Sequence, residues 1–170
     1  MKKLRLIIFE DCNRACPGCC NNDWDIKSLP ICEFKDLVNY DEVMITGGEP
    51  MLNLDLVKKV TFKTRPDTKV ILYTAKVDEP DDLIEFMDHL SGITLTLHDQ
   101  DDVEPFLEFS KKLFSSYVNV SQISLRLNVF SGIEFPIYSY AILNRWAIKS
   151  NMEWIKDCPL PNEEVLMRLA

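Results

Sequence analysis

Short apolar runs recur along the chain, and segments of helical period separate them. Leu4 to Phe9, Val43 to Thr46 and the β-former-rich "KVILYT" of Lys69 to Thr74 read as the first three strands. "ITLTLH", Ile93 to His98, and "ISLRLNV", Ile123 to Val129, alternate apolar and polar positions and read as a fourth and a fifth. Between them, Asp55 to Phe62 sets Leu56, Val57 and Val60 on one side of a helix. "DEPDDLIEFMDHL" opens acidic, which suits a helix N-terminus, and places Leu83, Phe86, Met87 and Leu90 on one face. "DDVEPFLEFSKKLFSSY" opens the same way, with Pro105 near enough to the first turn to be tolerated and its Phe and Leu residues assigned to the core. Glu33 to Tyr40 reads as a shorter helix, "YSYAILNRWAIK" as a further helix and "MEWIK" as a short sixth strand.

Strands that alternate with helices imply βαβ units and a mainly parallel sheet. Right-handed crossovers then bring every strand's C-terminal end to one rim, where sites gather. Five or six such units are too few to close an eight-stranded barrel. The expected fold is therefore α/β, an open partial (β/α)5–6 barrel. No repeat, low-complexity tract or linker marks a second domain, so residues 1–170 are expected to form one.

Composition narrows the function classes. Apolar residues make up 46% and charged residues 27%, as in ordinary globular proteins. A net charge of −8 disfavours a general nucleic-acid binder. "MKKLRLIIFEDC" begins like a signal peptide, but Arg5 interrupts the apolar run and Glu10-Asp11 follow it. The expectation is a first strand, a cytoplasmic protein and no membrane association. In that compartment a dense cysteine cluster points to metal or redox chemistry rather than to a disulfide framework.

That cluster is "CNRACPGCCNNDW", residues 12 to 24. Cys12, Cys16 and Cys19 have the spacing C-x3-C-x2-C and fall just past the first predicted strand. Thiolates suit zinc and iron–sulfur clusters. A structural zinc wants four protein ligands, and no second Cys/His pair is present: Cys32 and Cys158 are solitary, and His89 and His98 lie far along the chain. Three thiolates suit a cubane cluster with one iron open to substrate. Cys20, directly beside a ligand, is expected to point elsewhere.

"MITGGEP", residues 44 to 50, closes the second predicted strand on the same rim. Gly47 and Gly48 would let a ligand approach the backbone closely, Glu49 adds a carboxylate, and Pro50 ends the strand.

Cys12, Cys16 and Cys19 after the first strand, and Gly47-Gly48-Glu49-Pro50 after the second, give the chain a resemblance to the radical S-adenosylmethionine (radical SAM) superfamily. The resemblance implies a partial (β/α)6 barrel in which the three cysteines hold a 4Fe–4S cluster. It implies that the open iron chelates S-adenosylmethionine, that Gly47 to Pro50 bind its methionine end, and that an electron from the cluster produces a 5′-deoxyadenosyl radical. An external donor of the flavodoxin or ferredoxin kind and anaerobic conditions go with that chemistry. "CPGCCN" further resembles the activating enzyme of anaerobic ribonucleotide reductase, with Cys20, Asn21 and Trp24 near the places of that branch's aromatic, asparagine and tryptophan. The partner implied is a glycyl-radical enzyme. Two positions depart: Gly18 stands where many members carry an aromatic, and Glu49 where activases often carry aspartate.

On the fourth and fifth strands, Ile93, Leu95 and Leu97 share a face, as do Ile123, Leu125 and Leu127. Thr94, Thr96, His98, Ser124, Arg126 and Asn128 face the other way, into the expected barrel. His98, Arg126 and Asn128, with Thr74 at the end of the third strand, join Gly47 to Pro50 as candidate cofactor-binding residues. Several residues have a plainer reading. Arg126 pairs with an acid such as Glu49, His98 caps the following acidic helix, and His89 is a cation at a helix C-terminus. Cys32 and Cys158 are ordinary thiols. Trp24 either shields a cluster or anchors its loop. Three function classes remain: radical SAM modification of a small molecule or peptide, activation of a glycyl-radical partner, and non-enzymatic electron transfer.

Overall fold

The structure is a computed structural model that describes residues 1–170. In chain order its elements are β1 (Lys3–Ile7), α1 (Cys20–Asp23), β2 (Ile31–Cys32), β3 (Glu42–Thr46), α2 (Leu54–Phe62), β4 (Lys69–Thr74), α3 (Pro80–Phe86), β5 (Gly92–Leu97), α4 (Val103–Ser115), β6 (Ser124–Phe130), α5 (Tyr140–Leu143), β7 (Ala147–Met152) and β8 (Glu164–Leu169). The class is α/β. Two compact units divide the chain: Met1–Leu72 with Trp154–Ala170, and Tyr73–Glu153.

In the first unit the strands lie in the order β2-β8-β1-β3-β4. All these pairs are parallel; β1 registers Lys3 to Ile7 against Glu42 to Thr46 of β3 and against Glu164 to Arg168 of β8. Registered residues share a side, so Leu4, Leu6, Val43 and Ile45 form one face, and all four are wholly buried. The opposite face carries Arg5, Ile7, Met44 and Leu166. There Ile7, Ile26 and Leu166 make a buried cluster with Trp24, Leu29 and Leu160 against it. α2 starts where Asn53 Oδ1 accepts the amide of Leu56 at 3.1 Å, and it buries Val57 and Val60.

In the second unit the order is β5-β6-β7, again parallel. β5 and β6 pair Ile93 with Leu125 and Leu95 with Leu127, all buried, and pair Thr94 with Arg126 and Thr96 with Asn128 on the other side. α3 begins with Pro80 at its first turn followed by Asp81 and Asp82. A reciprocal cap between Asp99 and Asp102 precedes α4. α4 buries Phe106, Leu107, Phe109 and Leu113. The Trp146 ring packs 5.3 Å from Phe106 and 6.4 Å from Phe109, centroid to centroid.

The five strands expected from the pattern are β1, β3, β4, β5 and β6, each within one or two residues of its predicted bounds. The end of the chain differs. Helix in "YSYAILNRWAIK" is confined to Tyr140–Leu143, because Trp146 turns into the aromatic cluster and Ala147 begins pairing with Arg126. The sixth strand of that region is Ala147–Met152; "MEWIK" leaves the ladder after Met152. β2 and β8 were not foreseen. β8 is set by pairing with β1, which lies more than 150 residues away, and no local pattern announces such a partner. No helix is long and apolar enough to cross a membrane.

Candidate functional site

Because β1 and β3 are adjacent and parallel, the cysteine loop and the Gly-Gly-Glu-Pro turn leave neighbouring strand ends on the same edge of the first unit. The two segments are knitted together. Gly48 donates its amide to Phe9 O at 2.8 Å, and Glu49 donates its amide to Asp11 O at 2.8 Å. Further along, the Asn21 side-chain amide donates to Gly47 O at 2.7 Å. Gly47 adopts φ +142°, open to glycine alone, and a Cβ there would overlap Phe9 O. A Cβ on Gly48 would overlap Asp11 O and lie 2.5 Å from Glu10 O. The glycines thus have a requirement that the sequence did not reveal: they admit the backbone that leads into Cys12.

The loop itself is a chain of turns. Cys19 donates its amide to Cys16 O at 3.3 Å, Asn22 to Cys19 O at 2.9 Å and Trp24 to Cys20 O at 3.1 Å. Asn22 Nδ2 also reaches Cys16 O, at 3.3 Å. Trp24 is half-buried against Ile7, Ile26 and Leu166, which favours its reading as the loop's anchor. Cys12 is exposed, and Cys16 and Cys19 are half-buried; all three are thiols.

Cys20 is joined in a disulfide to Cys158, their Cα atoms 5.5 Å apart. This corrects the expectation that Cys158 is an ordinary thiol. Cysteine pairing across 138 residues depends on tertiary structure and has no signature in spacing. Cys32 is an ordinary buried thiol; burial, and then the Asp36 carboxylate, push it up to about 11.

Glu49 is 3% exposed, and its carboxylate accepts the Met51 amide at 3.0 Å, capping the turn that Pro50 opens. In type and number, the donors Cys12, Cys16 and Cys19 fit an iron–sulfur cluster with one open position. Their arrangement is not yet closed: no group of three or more Cys, His, Asp or Glu side chains is drawn together to hold a metal. A cluster held by these three residues would require the loop to gather its thiols.

The remaining candidates lie in the second unit. Thr74 is buried, and its hydroxyl accepts the Lys76 amide at 3.0 Å. The His98 ring sits 5.2 Å from Phe130, and its backbone amide donates to Asp102 Oδ2 at 2.7 Å. The helix after β5 is capped by Asp99 and Asp102, so the cap assigned to His98 belongs to these acids. Arg126 is exposed, and Asn128 is half-buried opposite Thr96. His89 closes a single 3-10 turn after α3, its ring 5.4 Å from Phe86.

Sequence reasoning passed over three features of the first unit. Arg5 forms an ion pair with Glu164 at 2.8 Å, Asn21 ties the loop to Gly47, and Trp154 lies against Gly18. Asn21 alone had a local signal, its place directly after the cysteines. A scan of protein-family models finds no match to the chain, and a search of curated proteins finds none.

Proposed function

We propose that the protein is a radical SAM enzyme built on an open partial barrel. One observation carries the reading: the Cys12-Cys16-Cys19 loop and the Gly47-Gly48-Glu49-Pro50 turn leave adjacent parallel strands and are hydrogen-bonded to one another. When bound, a 4Fe–4S cluster supplies the electron that cleaves the sulfonium C–S bond of S-adenosylmethionine and releases the 5′-deoxyadenosyl radical for hydrogen abstraction.

The chain's own residues hold and orient. Cys12, Cys16 and Cys19 are the three ligands, and the engagement of Cys20 with Cys158 supports leaving it out of the set. Gly47 to Pro50 form the wall for the methionine end. Asn21 ties that wall to the loop through its side-chain amide. His98, Arg126, Asn128 and Thr74 remain cofactor-binding candidates.

The narrower form of the proposal is an activating enzyme whose substrate is a glycyl-radical protein. The exposure of Cys12 favours it, because a docked macromolecule would supply the cover from water that radical chemistry needs. The test is anaerobic reconstitution with iron and sulfide, then reduction by flavodoxin or ferredoxin in the presence of S-adenosylmethionine. Formation of 5′-deoxyadenosine is expected; a glycyl-radical EPR doublet on an added anaerobic ribonucleotide reductase supports the narrower form. Zinc in place of iron, or no cleavage by the fully loaded protein, overturns the proposal.

A further inference from the structure

Residues 154–160 meet the cysteine loop at three places, and one of them is covalent. Trp154 lies across Gly18, so close that a Cβ on the glycine would fall 2.5 Å from Trp154 Cβ and 2.6 Å from Cδ2. Leu160 packs with Trp24 on the Ile7, Ile26 and Leu166 cluster. Between these two contacts, Cys158 is bonded to Cys20, the first residue of α1 and the neighbour of Cys19. Between these contacts the segment faces solvent: Ile155 is 58% exposed, and Lys156 is exposed as well. Asp157 and Cys158 both adopt left-handed backbone, with φ of 64° and 37°. Side chains disfavour that region, so this conformation persists only where its surroundings enforce it.

From this arrangement we infer that Cys20–Cys158 is a thiol–disulfide clasp, which pins the Trp154–Leu160 segment over the cysteine loop when oxidised and frees the loop when reduced. The inference rests on the proposed function in one respect, that the loop freed is the one that gathers Cys12, Cys16 and Cys19. In the clasped form those thiols are not drawn together. Cross-linking the residue beside Cys19 and covering Gly18 restrict the turns that would have to rearrange. Opening the clasp removes the covalent constraint and leaves Trp154 and Leu160 held by packing alone, while Asp157 and Cys158 are no longer fixed in left-handed backbone by the cross-link.

The reductant is a dithiol. Its thiolate attacks Cys20 Sγ, which is half-buried while Cys158 is buried, and Cys158 leaves as a thiolate that takes a proton. The second thiol of the reductant then attacks the mixed disulfide and releases Cys20. Two electrons and two protons pass to the protein, and the reductant ends as an intramolecular disulfide. A site served by a low-potential electron donor would in this way open only where dithiols are kept reduced.

The test uses the full chain and does not depend on iron. In a Cys12→Ala, Cys16→Ala, Cys19→Ala variant, only Cys20, Cys32 and Cys158 remain to react. Alkylation and mass spectrometry across a dithiothreitol titration are expected to show the pair oxidised without reductant and both thiols labelled after it. Amide exchange of residues 14–24 and 154–160 is expected to speed up roughly tenfold on reduction, while β3 and α2 stay unchanged. In the parent background, Cys158→Ser is expected to show the fast exchange without reductant and to take up iron and sulfide faster than the oxidised parent. A pair already labelled in the aerobically purified protein overturns the clasp, as does exchange that ignores its redox state. Failure of iron loading in every variant, with the exchange response intact, would instead count against the proposed function and leave the clasp standing.

Discussion

Gly48 stands so close to Asp11 that a Cβ atom on the glycine would overlap the aspartate carbonyl. The obstacle is backbone, which has no rotamer in which to retreat. Gly48→Ala must therefore push residues 9–12 away from β3 and break the Gly48-to-Phe9 and Glu49-to-Asp11 hydrogen bonds. Strain of this kind costs about 1–3 kcal/mol, and the lost bonds add to it. The melting temperature should fall by roughly 5–10 °C, and iron uptake should fall with it. Gly132→Ala is the control: its φ is +86° but nothing lies within 4 Å. It should lose only the conformational term, about 1–2 kcal/mol, and keep its iron. Equal losses in the two variants would show that close approach at Gly48 is not the cause.

The four clustered cysteines should separate by role. Cys12→Ala, Cys16→Ala and Cys19→Ala are each expected to lose most of the iron, the sulfide and the reduced-cluster EPR signal after anaerobic reconstitution. Cys20→Ala is expected to keep all three, because it lies outside the C-x3-C-x2-C set and its one bond here runs away from that set, to Cys158. Metal and sulfide analysis of the four variants side by side checks the assignment. A Cys20→Ala protein without iron beside a Cys12→Ala protein that retains it would reverse it.

The candidate site was legible as a pattern because it is local. Cys12, Cys16 and Cys19 lie within eight consecutive residues, and Gly47 to Pro50 are contiguous. Alternation in "ITLTLH" and "ISLRLNV" placed Leu95 and Leu127 on the buried side and Thr96 and Asn128 on the other, as the register of β5 and β6 shows. What escaped is long-range. β8 inserts beside β1, Cys158 reaches Cys20, and Trp154 fills the space over Gly18. Each depends on how distant segments meet, and each involves the last 17 residues. The glycines, read as room for a ligand, also make room for the chain's own entry into the loop.

Cys32 should behave as the opposite of the clustered thiols. It is wholly buried, its Sγ–H points to Glu33 O at 3.6 Å, and burial pushes its pKa up to about 11 from the usual 9.0. Cys32 is buried and its thiol stays protonated, so at neutral pH iodoacetamide should spare it until urea unfolds the protein, while the exposed Cys12 is labelled without urea. The sign of its pH effect follows from linkage. With the folded pKa raised, the neutral thiol's contribution to stability is complete below about 9 and is lost as the pH rises through about 11. Urea midpoints should fall more steeply between those values for the parent than for Cys32→Ala. Parallel slopes would show that Cys32 does not titrate in the folded protein.

The Arg5–Glu164 pair gives the late strand its test. Arg5 reaches Glu164 Oε2 from Nε at 2.9 Å and from Nη2 at 2.8 Å, with side-chain exposures of only 19% and 10%. Lys3, not Arg5, is the registered neighbour of Glu164, so the contact runs diagonally between β1 and β8. Diagonal partners in adjacent strands lie within reach of a long side chain. Since both side chains are largely screened from water, removing one costs the other its charge-assisted hydrogen bonds. Arg5→Met and Glu164→Gln are each expected to lose about 2–4 kcal/mol, seen as a lower urea midpoint. Arg5→Met with Glu164→Gln should lose clearly less than the sum, because the two single changes remove the same interaction. A double-mutant cycle checks this. Additive losses would mean that the two side chains stabilise the sheet independently, and β8 would then owe its place beside β1 to backbone pairing and to Leu166 and Leu169 in the core.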